Sequence, residues 1–576
     1  MDHFCQPKSM VGVDYNSPYI RFLIIAEIGR ICAFEREQLA IRIDKQLSGH
    51  SDHLDWPISP SWVPEMDADI LSDFSNEYID ILPPNWDVIS ISLSSDHTEF
   101  VISKLCLGSV PFLLRLPLKR GNSEEEEEEF TFDTGKREMK EIIHLANTTA
   151  HDARSRIDKS SKKEWWETRE SLDRRLEALL CNIEHIWLGG FRGIFSPSHR
   201  NPDLFARFTS SFHHMLDKHL PSRQKGRNSE EKRLMLHQNV LELFIGLQNL
   251  DDQMDPEDSI MDLLYFVVDI LQFQGERNAY DEIDFDVMVV ETLGILRSYQ
   301  EATQDSHQPK HTILILDKML HLFPWESLPC MHGLPVSRMP SIKCLRDRIL
   351  QCQLTPKELA LEGLRVNRDN GTYVLNPSGD LKTTQNTFEE SLSTLKSWTA
   401  IANREPSEDE FKENLESKNV FLYFGHGSGA QYIRGRTIKR LNQCAVTFLM
   451  GCSSGCLTEA GEFEPYGTPM NYMHAGTPAV VATLWDVTDK DIDRFAKTTF
   501  EKWGLVCPND GNDSSVSIAR TSESQSIEKG ISSPDVELRE SLALDEAVAN
   551  SRDSCLLRYL NGAAPVVYGI PVFLSI

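Results

Sequence analysis

The chain has 576 residues, and its 59 Lys and Arg against 87 Asp and Glu give a formal net charge of −28. Its composition, 40% hydrophobic and 9% aromatic, is that of a globular protein of roughly two to four domains. The negative charge disfavours direct nucleic-acid binding, because neutralising phosphates needs a basic face. No apolar run approaches the roughly 18–20 residues that span a bilayer. The composition therefore predicts a soluble protein that binds neither nucleic acid nor membrane directly.

The twelve cysteines are scattered along the chain and form no C-x-x-C pair. This distribution predicts free thiols in a reducing compartment, available as core residues or as a nucleophile. The first residues lack the charged-then-apolar order of a signal peptide. We therefore expect an intracellular protein.

The first part of the chain combines one helix with three short strands. An apolar stripe over residues 20–48 predicts a helix, and two proline-rich joints follow it. Asp87–Leu93, Glu99–Leu105 and Pro111–Leu118 have strand character, and the turn residues between them predict a meander.

A long helical block comes next. Glu124–Glu129 is a run of six glutamates, which is typical of a solvated loop. After it, apolar residues recur three and four apart, which predicts six helices: Glu138–Asn147, Trp165–Leu188, Pro202–Leu220, Glu230–Leu250, Ser259–Gln272 and Asp286–Tyr299. Because strands precede and follow it, this block is predicted to be a helical insertion into an α/β sheet.

The last part of the chain alternates buried strands with helices. The predicted strands are Thr312–Leu316, Phe421–Phe424, Ala445–Met450 and Ala479–Trp485, and the predicted helices include Asp491–Trp503 and Arg539–Leu560. Residues 508–537, rich in Ser, Asp, Glu and Gly, are interpreted as a flexible loop. This alternation predicts a doubly wound α/β sheet.

A histidine and a cysteine come directly after two of these strands. Phe421–Phe424 runs into Gly425-His-Gly-Ser-Gly429, and Ala445–Met450 runs into Gly451-Cys-Ser-Ser-Gly455. Parallel strands present their carboxyl ends at one edge of a sheet, so His426 and Cys452 are expected to meet there. A base beside a thiol is the arrangement of nucleophilic catalysis, and the glycines let backbone N–H groups approach a substrate carbonyl.

Four other interpretations of these motifs remain. Gly425-x-Gly-x-x-Ala430 has the form of a dinucleotide fingerprint, but Gly435 interrupts the helix that should follow. Gly451-x-Ser-x-Gly455 has the form of a nucleophile elbow at Ser453, but His474 is the only histidine after it. Cys452 and Cys456 with His426 would give three metal ligands without the second pair of a zinc site. Cys452 and His426 could also be purely structural.

Both motifs resemble the His and Cys blocks of separase, a caspase-like cysteine protease family that cleaves cohesin. The resemblance rests on Phe421-Leu-Tyr-Phe-Gly-His-Gly-Ser-Gly-Ala-Gln-Tyr432 and Leu449-Met-Gly-Cys-Ser-Ser-Gly455. Shorter matches extend from about residue 85 to the C-terminus and include Phe323-Pro-Trp-Glu326 and Asn376-Pro-Ser-Gly-Asp-Leu381. The resemblance implies the carboxyl-terminal catalytic region of such a protein, without the family's long N-terminal helical part.

The implied fold is a caspase-like doubly wound α/β sheet, the active protease unit, preceded by a degenerate caspase-like unit that carries the helical insertion. The expected divisions are an N-terminal helical segment, 1–84; a pseudo-protease domain, 85–340, with its insertion at about 135–305; and the protease domain, 341–576.

The resemblance also implies roles for individual residues. Cys452 would be the nucleophile, His426 the general acid and base, and the N–H groups of Gly427 and Cys452 the oxyanion hole. Cleavage after Arg, in sites with Glu or Ser three residues earlier, requires a carboxylate and favours an aromatic face. For this pocket we select Asp493 as the principal carboxylate, Asp486 as its alternative and Trp485 as the stacking ring.

The implied substrate is the kleisin subunit of cohesin, and the implied inhibitory partner is securin. No cofactor or metal is expected, and the expected location is the cytoplasm and nucleus, on chromatin and spindle in mitosis. The alternative function is a catalytically vestigial caspase-like module that binds kleisin or securin without cutting.

Overall fold

The computed structural model describes twelve stretches of the chain, and all structural statements refer to these residues: 9–10, 18–48, 74–119, 130–150, 159–197, 201–225, 234–247, 256–303, 310–353, 359–360, 363–507 and 542–575. The glutamate run Glu124–Glu129 and the predicted loop 508–537 lie outside them.

Seventeen strands are found in these stretches, grouped into one large sheet and two small ones. In chain order they are β1 Ser9–Met10, β2 Trp86–Leu93, β3 Glu99–Cys106, β4 Phe112–Pro117, β5 His311–Leu316, β6 Val336–Met339, β7 Leu359–Ala360, β8 Gly363–Asn367, β9 Gly371–Leu375, β10 Thr399–Ala402, β11 Val420–Phe424, β12 Val446–Leu449, β13 Leu457–Ala460, β14 Phe463–Gly467, β15 Ala479–Thr483, β16 Pro565–Gly569 and β17 Val572–Ser575.

The α-helices are numbered in the same way. They are α1 Pro18–Ser48, α2 Phe132–Ala150, α3 Lys159–Asn182, α4 Pro202–His219, α5 Pro221–Lys225, α6 Gln238–Ile245, α7 Pro256–Phe273, α8 Phe285–Thr303, α9 Ile342–Gln353, α10 Lys382–Ser393, α11 Glu408–Ser417, α12 Gly435–Lys439, α13 Thr468–His474, α14 Asp489–Trp503 and α15 Leu544–Ala549. Helices α2 to α8 separate β4 from β5 in the chain.

The large sheet has twelve strands in the order β1-β4-β3-β2-β5-β6-β16-β15-β12-β11-β9-β10. β2, β3 and β4 form an antiparallel meander, and β2, β5, β6 and β16 run parallel. β15, β12, β11, β9 and β10 also run parallel to one another, but antiparallel to β16. The carboxyl ends of β15, β12, β11 and β9 therefore meet at one edge, beside the amino end of β16.

The α/β prediction is confirmed, and the caspase-like fold is consistent with this sheet. The central strands are buried along their whole length, as continuous apolar runs predict. Helix α8 begins within one residue of its prediction. The predicted boundaries at residues 85 and 341 stay a prediction; strands from both sides of the second boundary belong to one sheet.

One helix prediction was wrong over half its length. Within the described residues, the predicted helix Arg539–Leu560 is α-helical only at α15; a single 3₁₀ turn at Arg552–Ser554 and further turns follow as far as β16. Side-chain carboxylates replace the intrahelical acceptors there, since Asp491 accepts from the N–H groups of Leu556 and Leu557, and Asp173 from those of Tyr559 and Leu560. Sequence periodicity does not report such distant acceptors.

Smaller differences occur at element ends. The predicted helix Trp165–Leu188 begins earlier, at Lys159, and its α-helical part stops at Asn182, where a π-helical turn follows. The predicted strand Ala479–Trp485 stops at Thr483. Of the predicted helix Glu230–Leu250 only α6 is helical within the described residues.

Two further expectations concern the cysteines and the membrane. The cysteines that lie in described stretches are all free thiols. Among the helices of these stretches, none has the length and apolar character to cross a bilayer.

Candidate active site

The predicted His and Cys loops lie side by side because their strands are neighbours. β11 pairs in parallel with β12 in the register Val420↔Val446 to Tyr423↔Leu449. Both strands end at the same edge, so the loops that begin at Gly425 and Gly451 leave the sheet together. The structure therefore brings His426 and Cys452 to one site.

The two loops are in direct backbone contact at Gly451. A Cβ on this residue would overlap the carbonyl oxygens of Gly425 and Gly427 and would lie 2.9 Å from the Gly427 nitrogen. No side chain fits there, so glycine is required by the close approach of the two loops. This contact fixes the Cys452 loop against the His426 loop.

The thiol of Cys452 is partly buried and held by the next loop along the sheet edge. Its Sγ donates to the carbonyl oxygen of Val487 at 3.4 Å. Burial raises the pKa of the Cys452 thiol to about 11, and the nearby carboxylates of Asp486 and Asp489 act in the same direction. At neutral pH the group is therefore a thiol, and it needs a base to become a nucleophile.

His426 has a carboxylate partner that the sequence analysis missed. Its Nε2 lies 2.8 Å from Oδ2 of Asp380, and both side chains are more than half exposed. The hydrogen bond from His426 lowers the pKa of Asp380. Asp380 comes after β9, which pairs with β11 on the side away from β12. Its position is thus set by the same sheet edge.

A tight turn after β9 brings Asp380 to that edge. Asn376 is buried with φ of +50°, and its N–H donates to Phe424 O at 2.9 Å. Its side-chain oxygen accepts from the N–H of Leu381 at 2.8 Å. Asn tolerates the left-handed conformation better than other non-glycine residues, which explains its place at this turn.

The backbone after Cys452 is also left-handed. Ser453 has φ of +52°, its N–H donates to Trp485 O at 3.3 Å, and its Oγ donates to the carboxylate of Asp486. The carboxylate of Asp486, the predicted alternative for the Arg pocket, thus holds the residue next to Cys452. Residues 485–487 hold both Cys452 and Ser453.

Trp485 lies under this loop rather than over the site. Its ring is 1% exposed, and its indole N–H donates to the carbonyl oxygen of Leu560 at 2.7 Å. No face of the ring is open to a guanidinium in this structure, so stacking on a substrate Arg stays a prediction.

Asp493 lies on the second turn of α14. It is 5% exposed, and Oδ2 accepts from the hydroxyl of Thr384 at 3.0 Å. Burial raises the pKa of Asp493 to about 7, the Thr384 hydrogen bond lowers it, and Asp489 raises it. Among the described residues, the side-chain donor to this buried carboxylate is a neutral hydroxyl and not a cation, and its role in an Arg pocket stays a prediction.

The two N–H groups predicted as an oxyanion hole are close to each other. Gly427 has φ of +59°, and its nitrogen faces Gly451, the neighbour of Cys452. Within the described stretches, the N–H groups of Gly427 and Cys452 donate to no carbonyl oxygen.

Comparison with known proteins identifies the family. Residues 95–492 match the model of the separin protease domain. The chain is 61% identical over 552 residues to a separin of Emericella nidulans and 41% identical over 504 residues to a separin of Schizosaccharomyces pombe, which covers 95% and 87% of this chain. The chain belongs to the separin family.

Solved structures agree with the separin assignment. A crystal structure of the Saccharomyces cerevisiae separase–securin complex superposes with a TM-score of 0.76 and 33% sequence identity, and covers 93% of this chain. The match covers 33% of that chain and 25% of each curated separin above. The chain thus spans about a quarter of the length of its curated relatives.

In this separin-family chain, the other chemical interpretations of the motifs find no structural basis. The helix after the Gly425 loop begins only at Gly435, ten residues after Gly425, whereas the helix of a dinucleotide fingerprint begins within the motif. The hydroxyl of Ser453 donates to Asp486 rather than to a histidine, and His474 stacks on Phe34 and hydrogen-bonds Gln38. In the part of the chain that the structure describes, no group of three His, Cys, Asp or Glu could hold a metal ion.

One signal for Asp380 was present in the sequence. Asn376-Pro-Ser-Gly-Asp-Leu381 resembles the separase family, but no strand was predicted before it, where the structure has β9. A polar turn directly after a buried strand would have placed Asp380 at the same edge as His426.

Proposed function

We propose that the chain is a cysteine endopeptidase that cleaves after Arg, at Glu-x-x-Arg or Ser-x-x-Arg sites in the kleisin subunit of cohesin. The observation that carries the proposal is the contact at Gly451, which joins the loops of Cys452 and His426. Membership of the separin protease-domain family supports it.

In the proposed reaction, His426 takes the proton of Cys452 as the sulfur attacks the carbonyl carbon of the substrate Arg. The contact of Nε2 with Asp380 leaves Nδ1 as the nitrogen for this transfer. The raised pKa of Cys452 makes the base necessary, since a free thiolate is scarce at neutral pH. The imidazolium then protonates the leaving amine, and water hydrolyses the thioester.

The other proposed roles depend on the two loops and α14. The N–H groups of Gly427 and Cys452 bind the developing oxyanion, for which one donor is typically worth about 10²–10³ in rate. Asp493 binds the substrate guanidinium in its ionised form. The imidazolium that forms on His426 is stabilised by the carboxylate of Asp380.

We also propose a securin as the inhibitory partner, because solved structures similar to this chain are separase–securin complexes. We expect such a partner to bind at the loops of Cys452 and His426 in place of a substrate. The cytoplasm and nucleus, with chromatin and spindle in mitosis, are the proposed location, since the kleisin substrate is there.

The deciding experiment is incubation of the chain with a kleisin peptide that contains one Glu-x-x-Arg site. We expect one cut after Arg, loss of cutting in Cys452→Ser, and reduced but measurable cutting in Ser453→Ala. Ser453→Ala loses only the bond to Asp486 and keeps the thiol. Cutting that survives in Cys452→Ser but not in Ser453→Ala would assign the nucleophile to the serine. Peptide binding without any cut would favour the vestigial interaction module instead.

A further inference from the structure

The helical insertion reaches the edge of the sheet where the active site lies. The first contact is made by Asn147, near the end of α2, whose Oδ1 accepts from the backbone N–H of Asp486 at 2.9 Å. Asp486 is the residue that holds Ser453 through its carboxylate. Asp486 therefore links the insertion to the site: it is hydrogen-bonded to Asn147 on one side and to Ser453, the residue after Cys452, on the other.

A second contact comes from Arg169 on α3. Its guanidinium is fully buried and donates to Ala146 O at 3.0 Å, directly before Asn147 in the chain. It also donates to Oδ1 of Asn561 at 2.8 Å, and the amide of Asn561 donates to Thr488 and Asp491 at 3.0 and 2.8 Å. Arg169 thus ties the end of α2 to the start of α14, the helix that carries Asp493.

A third contact supports the floor of the site. Asp173, one turn along α3 from Arg169, accepts from the N–H groups of Tyr559 and Leu560 at 2.9 and 2.7 Å. The carbonyl of Leu560 in turn accepts from the indole of Trp485. The loop of Asp486, which holds Cys452, is therefore hydrogen-bonded to Asn147 of α2. The turns that contain Leu560 are hydrogen-bonded to Asp173 of α3. Both of these side chains are half-buried.

We propose that Asn147 is a positioning residue for the nucleophile loop, and that Arg169 and Asp173 of α3 support it from behind. Asn147 fixes Asp486, and residues 485–487 in turn fix Ser453 and the thiol of Cys452. The predicted loss of cleavage in Asn147 variants rests on the proposed function. The predicted change in the reactivity of the Cys452 thiol does not depend on any substrate.

The test compares three variants of the whole chain. Asn147→Ala removes the acceptor, and Asn147→Asp keeps an acceptor oxygen in the same place. Thr148→Ala is the control, because Thr148 is exposed on the same turn and bonds only within its own helix. We measure kcat and KM on the Arg peptide, the Tm, and the rate at which iodoacetamide alkylates Cys452, followed by mass spectrometry of the tryptic peptide.

For Asn147→Ala we expect kcat about tenfold below wild type with KM within about twofold, because the peptide pocket is untouched while the nucleophile loop loosens. A Tm within about 2 °C of wild type is expected, since one half-buried hydrogen bond is lost. Alkylation of Cys452 should be at least about threefold faster, because the thiol is less buried. Asn147→Asp should recover most of kcat, and Thr148→Ala should match wild type.

Two results would overturn the proposal. One is an Asn147→Ala variant with wild-type kcat and wild-type alkylation. The other is an Asn147→Asp variant as impaired as Asn147→Ala, which would mean that the acceptor oxygen is irrelevant. A wild-type chain that cuts no peptide would contradict the proposed function alone, and faster alkylation in Asn147→Ala would still support the positioning role.

Discussion

At the scale of single residues, burial decides the protonation states on which the proposed chemistry depends. Burial raises the pKa of Cys452 to about 11 and that of Asp493 to about 7. Without substrate, both groups are held in or near their neutral forms. A bound arginine would supply the missing charge for Asp493, and His426 the missing base for Cys452. In the proposed mechanism, each group is thus brought to its reactive form by its partner, because its resting environment favours the neutral form.

Binding of an Arg peptide should tighten as the pH rises through about 7, because Asp493 ionises there. The Cys452→Ser variant separates this binding from turnover. We expect the Kd of the Arg peptide, measured by titration calorimetry at pH 6, 7 and 8, to fall with pH. The same peptide with Gln in place of Arg should show no such trend. A Kd for the Arg peptide that is constant over this range would contradict the role of Asp493.

The same carboxyl group should lower stability at high pH. Its pKa in the folded protein, about 7, lies above its ordinary value of 3.8, so the folded state binds the proton more tightly. The contribution of this group to stability is therefore greatest at low pH and falls as the pH rises towards 7. Asn cannot ionise, so Asp493→Asn should be more stable than wild type at pH 8, by about 1–3 kcal/mol, and equal to it near pH 4. Denaturant unfolding at both pH values measures this difference.

Asp380→Asn should lower kcat about tenfold, because the charge that stabilises the imidazolium of His426 is lost. The effect is moderate because both side chains are more than half exposed to water. Glu389→Gln is the matched control: Glu389 is an exposed carboxylate on the neighbouring α10 and contacts Gln385, not His426. Equal kcat in both variants would show that Asp380 does not assist the histidine.

At the scale of elements, the site is made by loops that begin where strands end. Loops after β9, β11, β12 and β15 carry Asp380, His426, Cys452 and Asp486, and none of these side chains belongs to a strand. Parallel pairing brings the four loops to one edge. The close approach at Gly451 then sets the spacing between the central two loops.

Gly451→Ala should separate the Cys and His loops. The new Cβ would overlap the carbonyl oxygens of Gly425 and Gly427, so we expect loss of most activity and a lower Tm. Gly294→Ala is the control, because this exposed glycine of α8 has open space around it and should gain about 0.5–1 kcal/mol in stability. An active, stable Gly451→Ala protein would mean that the loops are not in contact.

At the scale of the whole molecule, one sheet joins the part of the chain before the predicted boundary to the part after it. β6 pairs with β16, a strand near the C-terminus, and β16 pairs with β15. β15 is in turn the neighbour of β12, the strand that precedes Cys452. A buried ion pair lies at this junction. Arg338 on β6 donates two hydrogen bonds to the carboxylate of Glu326, at 2.6 and 2.7 Å. It also donates to the carbonyl oxygens of His321 and Phe323.

Glu326→Gln should destabilise the protein by about 3–5 kcal/mol at neutral pH, because it leaves the fully buried Arg338 without its counter-charge. Burial raises the pKa of Glu326, but the charge and hydrogen bonds of Arg338 outweigh it and the net pKa is lowered. This stability is present above the ordinary pKa of 4.5 and is lost as the pH falls through the lowered value. Calorimetric Tm values at pH 7 and pH 4 should therefore differ more in wild type than in the variant.

The exposed pair Arg404 and Glu410 provides the control for that measurement. Glu410→Gln should leave the Tm near that of wild type, because water screens this pair. A Glu326→Gln variant as stable as Glu410→Gln would show that the buried pair is not needed for the junction.

Local sequence determined strands β2 to β5, β11, β12 and β15, most helices and the pair Cys452 and His426. Continuous apolar runs specify buried strands, and a glycine loop after such a strand specifies an edge residue, so these features need no distant partner. The resemblance of their motifs to one family was confirmed. The predicted helix over 539–560 failed because its backbone donors are satisfied by Asp491 and Asp173, which no local pattern reveals.

Tertiary structure alone decided which strands are neighbours and therefore which side chains meet. Asp380 is 46 residues from His426 in the chain, and Asn147 is 339 residues from Asp486, yet each pair is hydrogen-bonded. Tertiary structure also decided the environment of the acids: Asp486 holds Ser453, Asp491 anchors the turns before β16, and Asp493 is buried with Thr384. These three acids lie close together along the chain, so only their burial and partners distinguish them.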